Sequence, residues 1–249
     1  MTSSRWPGEL LLVRHAESAG NVAAEAAEAA GTTWIDVAER DMDVGLSACG
    51  EEQARALGSW LTALGKSTPT AVVSSPYERA ARTARLALDA GGLQLPLVLD
   101  ERLREREFGV LDRLTKHGIV ERYPEEAEAR ARVGKFYYRP PGGESWCDVA
   151  LRVRSAIDSI ARELTGERVL VVAHQVVILM FRYALEHLTE RDILAIDAQG
   201  ELLNCSVTRY TADGTSPPQM TLDCYNSSVA LDASRAPITR EPDVPVAPR

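Results

Sequence analysis

The sequence holds few cysteines and none in pairs. The four, Cys49, Cys147, Cys205 and Cys224, are scattered with no C-x-x-C spacing, which argues against a structural zinc site and reads as reduced thiols. Positive charge is also short. Lys and Arg number 28 against 36 Asp and Glu, leaving a net charge of −8. Nucleic acid and anionic membrane both favour a basic face, so neither is expected as a partner. An anionic small molecule is not excluded, because a few arginines in one cleft outweigh the global sign. Long hydrophobic runs are missing too. The longest, Val169–Leu185, is broken by His174, Gln175 and Arg182, which no membrane span tolerates easily. The opening "MTSSRWPGE" lacks a basic segment followed by an apolar core, so the expectation is a cytoplasmic chain without a signal peptide.

What is present suffices for a core: 45% hydrophobic and 26% charged residues, the balance of an ordinary globular domain. Short β-branched runs predict strands at Leu10–Val13, Ala71–Val73, Leu97–Leu99, Val169–Ala173, Leu202–Tyr210 and Met220–Tyr225. Helical patterns lie between most of them. "GEEQARALGSWLTALG" sets its apolar residues on one face, and "SPYERAARTARLALDAGG" enters on Ser-Pro and stops at a Gly pair. Alternating strands and helices predict an α/β fold, three-layer and doubly wound around a mostly parallel sheet. Only "TADGTSPP" separates the last two strands, which should form an antiparallel edge hairpin. The expected organisation is a flexible N-terminus at 1–8, a single domain at 9–232 and a disordered Pro-rich tail at 233–249. Within the domain, 22–42 reads as an Ala/Glu-rich helical insert and 102–140 as a mostly helical cap region.

Open parallel sheets hold their ligands at the carboxyl ends of strands. His15 follows the first strand, His174 follows the fourth, and Arg79 opens the helix after "AVVSS". Alone, each has a bland reading: a strand-end histidine is usually structural, and a first-turn arginine is usually solvated. Glu105 sits in the charge run "RLREREFG", normally an exposed face, and His117 and His187 have no such company.

Together the words "LLVRHAESAGN", "SSPYERAARTA", "RLREREFG", "PGGES" and "VLVVAHQ" run in one order from Leu10 to about Tyr225. This pattern resembles the histidine phosphatase superfamily, which includes phosphoglycerate mutases and fructose-2,6-bisphosphatases, and it implies a phosphoglycerate mutase-like fold. By that resemblance His15 is the nucleophile that becomes a phosphohistidine. Arg14, Arg79 and Asn21 bind the transferring phosphoryl group, and His174 completes the pocket. Glu105 is the proton donor and later the base. Glu107 competes for that role, but Gly109 stands four residues after Glu105, as the family word requires.

The chemistry suits these residue types. A phosphate monoester dianion repels nucleophiles, so catalysis rests on positioning and fixed positive charge. Arginine meets two phosphate oxygens with one planar fork and keeps its proton. Nothing in the scheme needs a metal or other cofactor, and the implied partner is a small phosphorylated metabolite.

The middle of the chain looks closest to the fructose-2,6-bisphosphatase branch, with its Tyr-Pro-x-Glu word and the Gln after the second histidine. On that match Arg130, Lys135 and Gln175 bind the sugar phosphate outside the reacting group. Three positions depart from it: Lys116 and Trp146 replace tyrosines, and Leu179 replaces an arginine for which Arg182, a turn later, is the candidate substitute. No G-x-x-x-x-G-K-[ST] loop for a kinase half is present. The expected activity is therefore metabolite phosphatase, with a phosphoglycerate mutase-type transfer and a non-catalytic phospholigand-binding protein as alternatives. The insert after Asn21 reads equally as a substrate-selecting lid or as a surface elaboration. Trp34 and Trp146 line the entrance or fill the core. The edge hairpin offers a surface for a homodimer, though no residue pattern compels one.

Overall fold

The apolar run after Gly8 becomes β1 (Glu9–Arg14), buried at every residue. A strand with no polar face must be covered on both sides, and this one is. The structure, a computed structural model, describes residues 6–213 and 219–240. The further strands are β2 (Ala71–Ser74), β3 (Leu97–Leu99), β4 (Arg168–Ala173), β5 (Val207–Ala212) and β6 (Met220–Ser227). They form one sheet in the order β3-β2-β4-β1-β5-β6. The pairs β3/β2, β2/β4 and β4/β1 are parallel, while β1/β5 and β5/β6 are antiparallel. This is the expected mostly parallel α/β sheet with an antiparallel edge pair.

Side chains alternate across the sheet, so each strand feeds two cores. Leu10, Leu12, Val169 and Val171 face one core with Val153, Ile157, Val177 and Phe181. These come from α6 (Trp146–Glu163) and α7 (Gln175–Leu185). Leu11, Val13, Leu170 and Val172 face the other with Leu57, Leu61, Ala84 and Ala87, from α2 (Ala48–Ala63) and α3 (Glu78–Gly91). Each fully buried aliphatic side chain contributes about 1.5–3 kcal/mol over its exposed state. The remaining helices are α1 (Ala19–Ala30), α4 (Lys116–Arg122), α5 (Pro124–Val133), α8 (Glu190–Asp197) and α9 (Val229–Ser234).

Several expected boundaries differ from those observed. The strand expected from Leu202 begins only at Val207. Leu202–Ser206 is drawn out of the sheet by local demands: Leu202 N–H donates to the Gln175 side chain at 3.0 Å, and Cys205 has φ 57°. The insert helix starts at Ala19 rather than 22, capped by Ser18, and ends on a left-handed Gly31. The rest of the insert is irregular apart from a 3-10 turn at Asp41–Asp43. The cap region holds α4, α5 and 3-10 turns at Glu101–Leu103 and Gly109–Leu111.

The described residues of the two ends make defined contacts. Gly8 N–H donates to Glu167 O at 2.8 Å and Gly166 N–H to Trp6 O at 3.0 Å, so Trp6–Gly8 is tied down. After α9, Ala236 is buried, and Gln53 Nε2 donates to Pro237 O at 3.0 Å and Thr239 Oγ1 at 2.9 Å. The start of the proline-rich segment thus packs against α2, because its backbone finds donors there. Residues 1–5 and 241–249, which carry the rest of both expectations, lie outside the described residues.

Candidate active site

Parallel pairing in register ends β1 and β4 level, with Arg14 opposite Ala173. The next residue on each strand is a histidine, and His15 N–H donates to Ala173 O at 2.9 Å. The two imidazoles therefore emerge side by side, centroids 5.1 Å apart, both fully buried. His15 Nδ1 lies 2.8 Å from Ala16 O. A carbonyl oxygen only accepts, so Nδ1 carries a hydrogen, and in the neutral ring the lone pair is then on Nε2. His174 Nε2 lies 2.8 Å from Ser75 Oγ at the end of β2, and its Nδ1 faces Glu105 Oε2 at 3.7 Å.

Glu105 is 2% exposed and accepts the Arg106 backbone N–H on Oε1 at 2.7 Å. Its rival Glu107 is exposed and accepts the Tyr77 hydroxyl at 2.6 Å. Burial, then Glu107, pushes the Tyr77 phenol far up, so it stays a donor. The Tyr77 ring packs edge-on to His174 at 5.4 Å and lies 5.1 Å from the Arg79 guanidinium.

The phosphoryl-binding candidates converge on the same edge. Arg14 is buried and donates to Leu202 O. Asn21 sits in the first turn of α1, where its Oδ1 accepts from Ser18 N at 3.0 Å and Asn204 Nδ2 at 3.3 Å. A cavity of about 20 Å³ is lined by Asn21, Arg79 and Glu105 together with Ser18, Gly20, Asp41, Val44 and Phe108. Arg79 also grips Asp41: Nη1 donates to Oδ1 at 3.0 Å and Nη2 to Oδ2 at 3.2 Å.

The second group of candidates forms its own neighbourhood. Lys135 Nζ lies 2.5 Å from Asp197 Oδ2 and 4.9 Å from the Trp146 ring centroid. Burial lowers the Lys135 and Arg130 pKa values, against the pull of Asp197 on both. Gln175 donates to Glu201. A residue absent from the sequence reading joins them. Arg106 is 1% exposed, with Nε on Glu144 O at 2.6 Å and no hydrogen-bond partner for Nη1 or Nη2 among the described residues. Burial and the nearby Arg130 push its guanidinium down to about 10, which still leaves it charged at neutral pH. Only its place beside Glu105 could have signalled it within so dense a charge run. Ser75 and Asp41 were missed as well.

Other candidates go elsewhere. Arg182 pairs with Glu186 at 2.8 Å and stacks 4.1 Å over Tyr225, so it does not replace the arginine missing at Leu179. Trp146 is core at 1% exposure, whereas Trp34 is 45% exposed under Arg122. His117 pairs with Glu121 on the surface, and His187 is exposed. Among the described residues no cluster of three His, Cys, Asp or Glu side chains is placed to hold a metal, and no helix is long and apolar enough to cross a membrane.

Residues 10–223 match the family model of the histidine phosphatase superfamily, branch 1. The chain is 34% identical over 210 residues to the 2,3-bisphosphoglycerate-dependent phosphoglycerate mutase 2 of Gloeobacter violaceus, covering 83% of this chain and 87% of that one. A mycobacterial glucosyl-3-phosphoglycerate phosphatase complexed with inorganic phosphate is 27% identical with a TM-score of 0.67, covering 89% of this chain and 98% of that one. Bacillus stearothermophilus YhfR is 28% identical with a TM-score of 0.69, covering 88% and 96%. The first of these relatives bears a mutase name and the second a phosphatase name, and none of the three is called a fructose-2,6-bisphosphatase.

Proposed function

The chain belongs to branch 1 of the histidine phosphatase superfamily, and from that premise we propose that it is a metal-independent phosphatase of a small phosphorylated metabolite, working through phosphohistidine at His15. The observation that carries this is the 2.8 Å contact from His15 Nδ1 to Ala16 O. In the neutral ring it leaves the lone pair on Nε2, the state a nucleophile needs.

In the first half-reaction Nε2 forms a bond to phosphorus as the ester P–O bond breaks. Arg14, Arg79, Asn21 and His174 stabilise the equatorial oxygens, and protonated Glu105 gives its proton to the leaving oxygen. In the second half-reaction water attacks phosphorus, Glu105 takes its proton, and the P–N bond breaks to release phosphate. The first step requires the Glu105 carboxyl to carry a proton when the substrate is bound.

Arg130, Lys135 and Gln175 are assigned to a second anionic group on the substrate, with Arg106 alongside. This suits a sugar phosphate or bisphosphate, including compounds built on phosphoglycerate such as the mycobacterial relative's named substrate. The alternative is a mutase, as in the Gloeobacter relative's name, which returns the phosphoryl group to another substrate oxygen. One experiment separates them: a panel of phosphorylated metabolites assayed for phosphate release and isomer formation together. Release with little isomerisation is expected. Isomerised phosphoglycerate with little phosphate would overturn the phosphatase reading.

A further inference from the structure

The irregular half of the insert forms a strap over the phosphoryl pocket. One end is held by Arg113, whose carbonyl accepts Ile35 N–H at 2.8 Å and whose Nη1 donates to Val37 O at 2.8 Å. The other end is held where Ala19 N–H donates to Gly45 O at 3.0 Å. Between them Asp41 and Val44 close over the small cavity shared with Asn21, Arg79 and Glu105. Val44 is buried there, and Arg79 binds Asp41 through its backbone oxygen at 2.6 Å as well as both carboxylate oxygens.

The carboxylate thus meets the end-on fork of the guanidinium, the geometry a phosphoryl group uses. Arg79 is nearly buried, with a side chain 5% exposed against 30% for Asp41. An arriving dianion would be repelled by Asp41 and drawn to Arg79 more strongly than a monoanionic carboxylate is. The acids are already crowded on this side, since burial and then Asp41 push the Asp112 carboxyl upward.

We propose that Asp41 is a built-in competitor for the phosphoryl group: the substrate dianion displaces its carboxylate from Arg79 and frees the strap at residues 36–46 to open. The proposal rests on the assignment of Arg79 to the phosphoryl group. It makes the insert a gate that answers to a doubly charged phosphate rather than a surface elaboration.

The test uses inorganic phosphate as the probe on the full chain. Asp41→Asn should lower the Kd for phosphate roughly tenfold, the scale of one partly buried ion pair. In the wild-type protein, saturating phosphate should raise hydrogen exchange across residues 36–46. A Kd that is unchanged or higher, or strap exchange that fails to rise, overturns the gate and makes Asp41 a residue that orients Arg79. Arg79→Met separates the two readings. Lost phosphate affinity upholds the site and leaves the Asp41 result decisive, whereas unchanged affinity overturns the Arg79 assignment and the gate with it.

Discussion

His15 and His174 stand on adjacent parallel strands with ring centroids 5.1 Å apart and ring planes inclined by 59°. Only His15 turns its Nδ1 into its own backbone, toward Ala16 O. His174 is held through Nε2 by Ser75, so the two rings are not interchangeable. His15→Ala should lower kcat by at least about four orders of magnitude, as removal of a covalent nucleophile does. It should also abolish acid-labile labelling by a radiolabelled substrate. His174→Ala should slow labelling without abolishing it.

Ser75 joins His174 to the Tyr77 backbone, whose N–H donates to the same hydroxyl at 3.2 Å. Ser75→Ala leaves a buried imidazole nitrogen without that partner, a loss of about 1–3 kcal/mol. The expected result is a kcat lower by about tenfold or more with a smaller change in KM, because the loss falls on orienting His174. Steady-state kinetics at a temperature well below the lowered melting temperature, where the variant stays folded, would separate this from general destabilisation.

Glu105 and Glu107 are two residues apart and face different surroundings, one buried beside His174 and the other exposed on Tyr77. Glu105→Gln should reduce kcat by about 10²–10⁴-fold on alkyl phosphates, the range of general acid–base catalysis. The loss should be smaller on p-nitrophenyl phosphate, whose leaving group needs little protonation. Glu107→Gln should stay near wild type on both. Equal losses for the two variants would contradict the assignment.

Much of this was readable because both histidines directly follow apolar strands, and strand period fixes where the next residue emerges. The Gly pair that ends α3 was equally plain, and Gly92 is its left-handed C-cap. Ser75 was not, since its contact with His174 arises from β2 pairing with β4, elements about a hundred residues apart that only the fold brings together. Leu202–Ser206 has strand composition, yet its backbone serves Arg14 and Gln175. Arg182 lies three residues past Leu179 on α7, about 4.5 Å further from the helix end that carries the site. That rise carries it to Glu186 and Tyr225 instead.

The contact of α2 with α3 depends on a missing side chain. A Cβ on Gly58 would stand 2.2 Å from Ala87 O. Ala gains up to about 1 kcal/mol over Gly in helix propensity, but here the backbones must part. Gly58→Ala should be net destabilising by about 1–3 kcal/mol, the usual cost of overpacking. A lower urea midpoint at unchanged slope would show it.

Glu186 gives a pH signature that catalysis does not share. Burial would raise its carboxyl, but hydrogen bonds from Arg182 and Tyr210 overcome that and hold it below the ordinary glutamate value. The contacts are 2.8 Å from Arg182 Nε and 2.6 Å from the Tyr210 hydroxyl. A folded-state pKa below the unfolded one means that the unfolded chain binds protons first as pH falls. The stabilisation is therefore complete above the unfolded glutamate pKa of about 4.3, and it is lost as pH falls through the lower folded value. Glu186→Gln should be less stable than wild type at pH 7, and the gap should narrow steadily below about pH 5. Melting temperatures of both proteins from pH 7 to pH 3 measure this directly. A gap that stays constant over that range would mean that Glu186 stabilises the fold by packing and not by its charge.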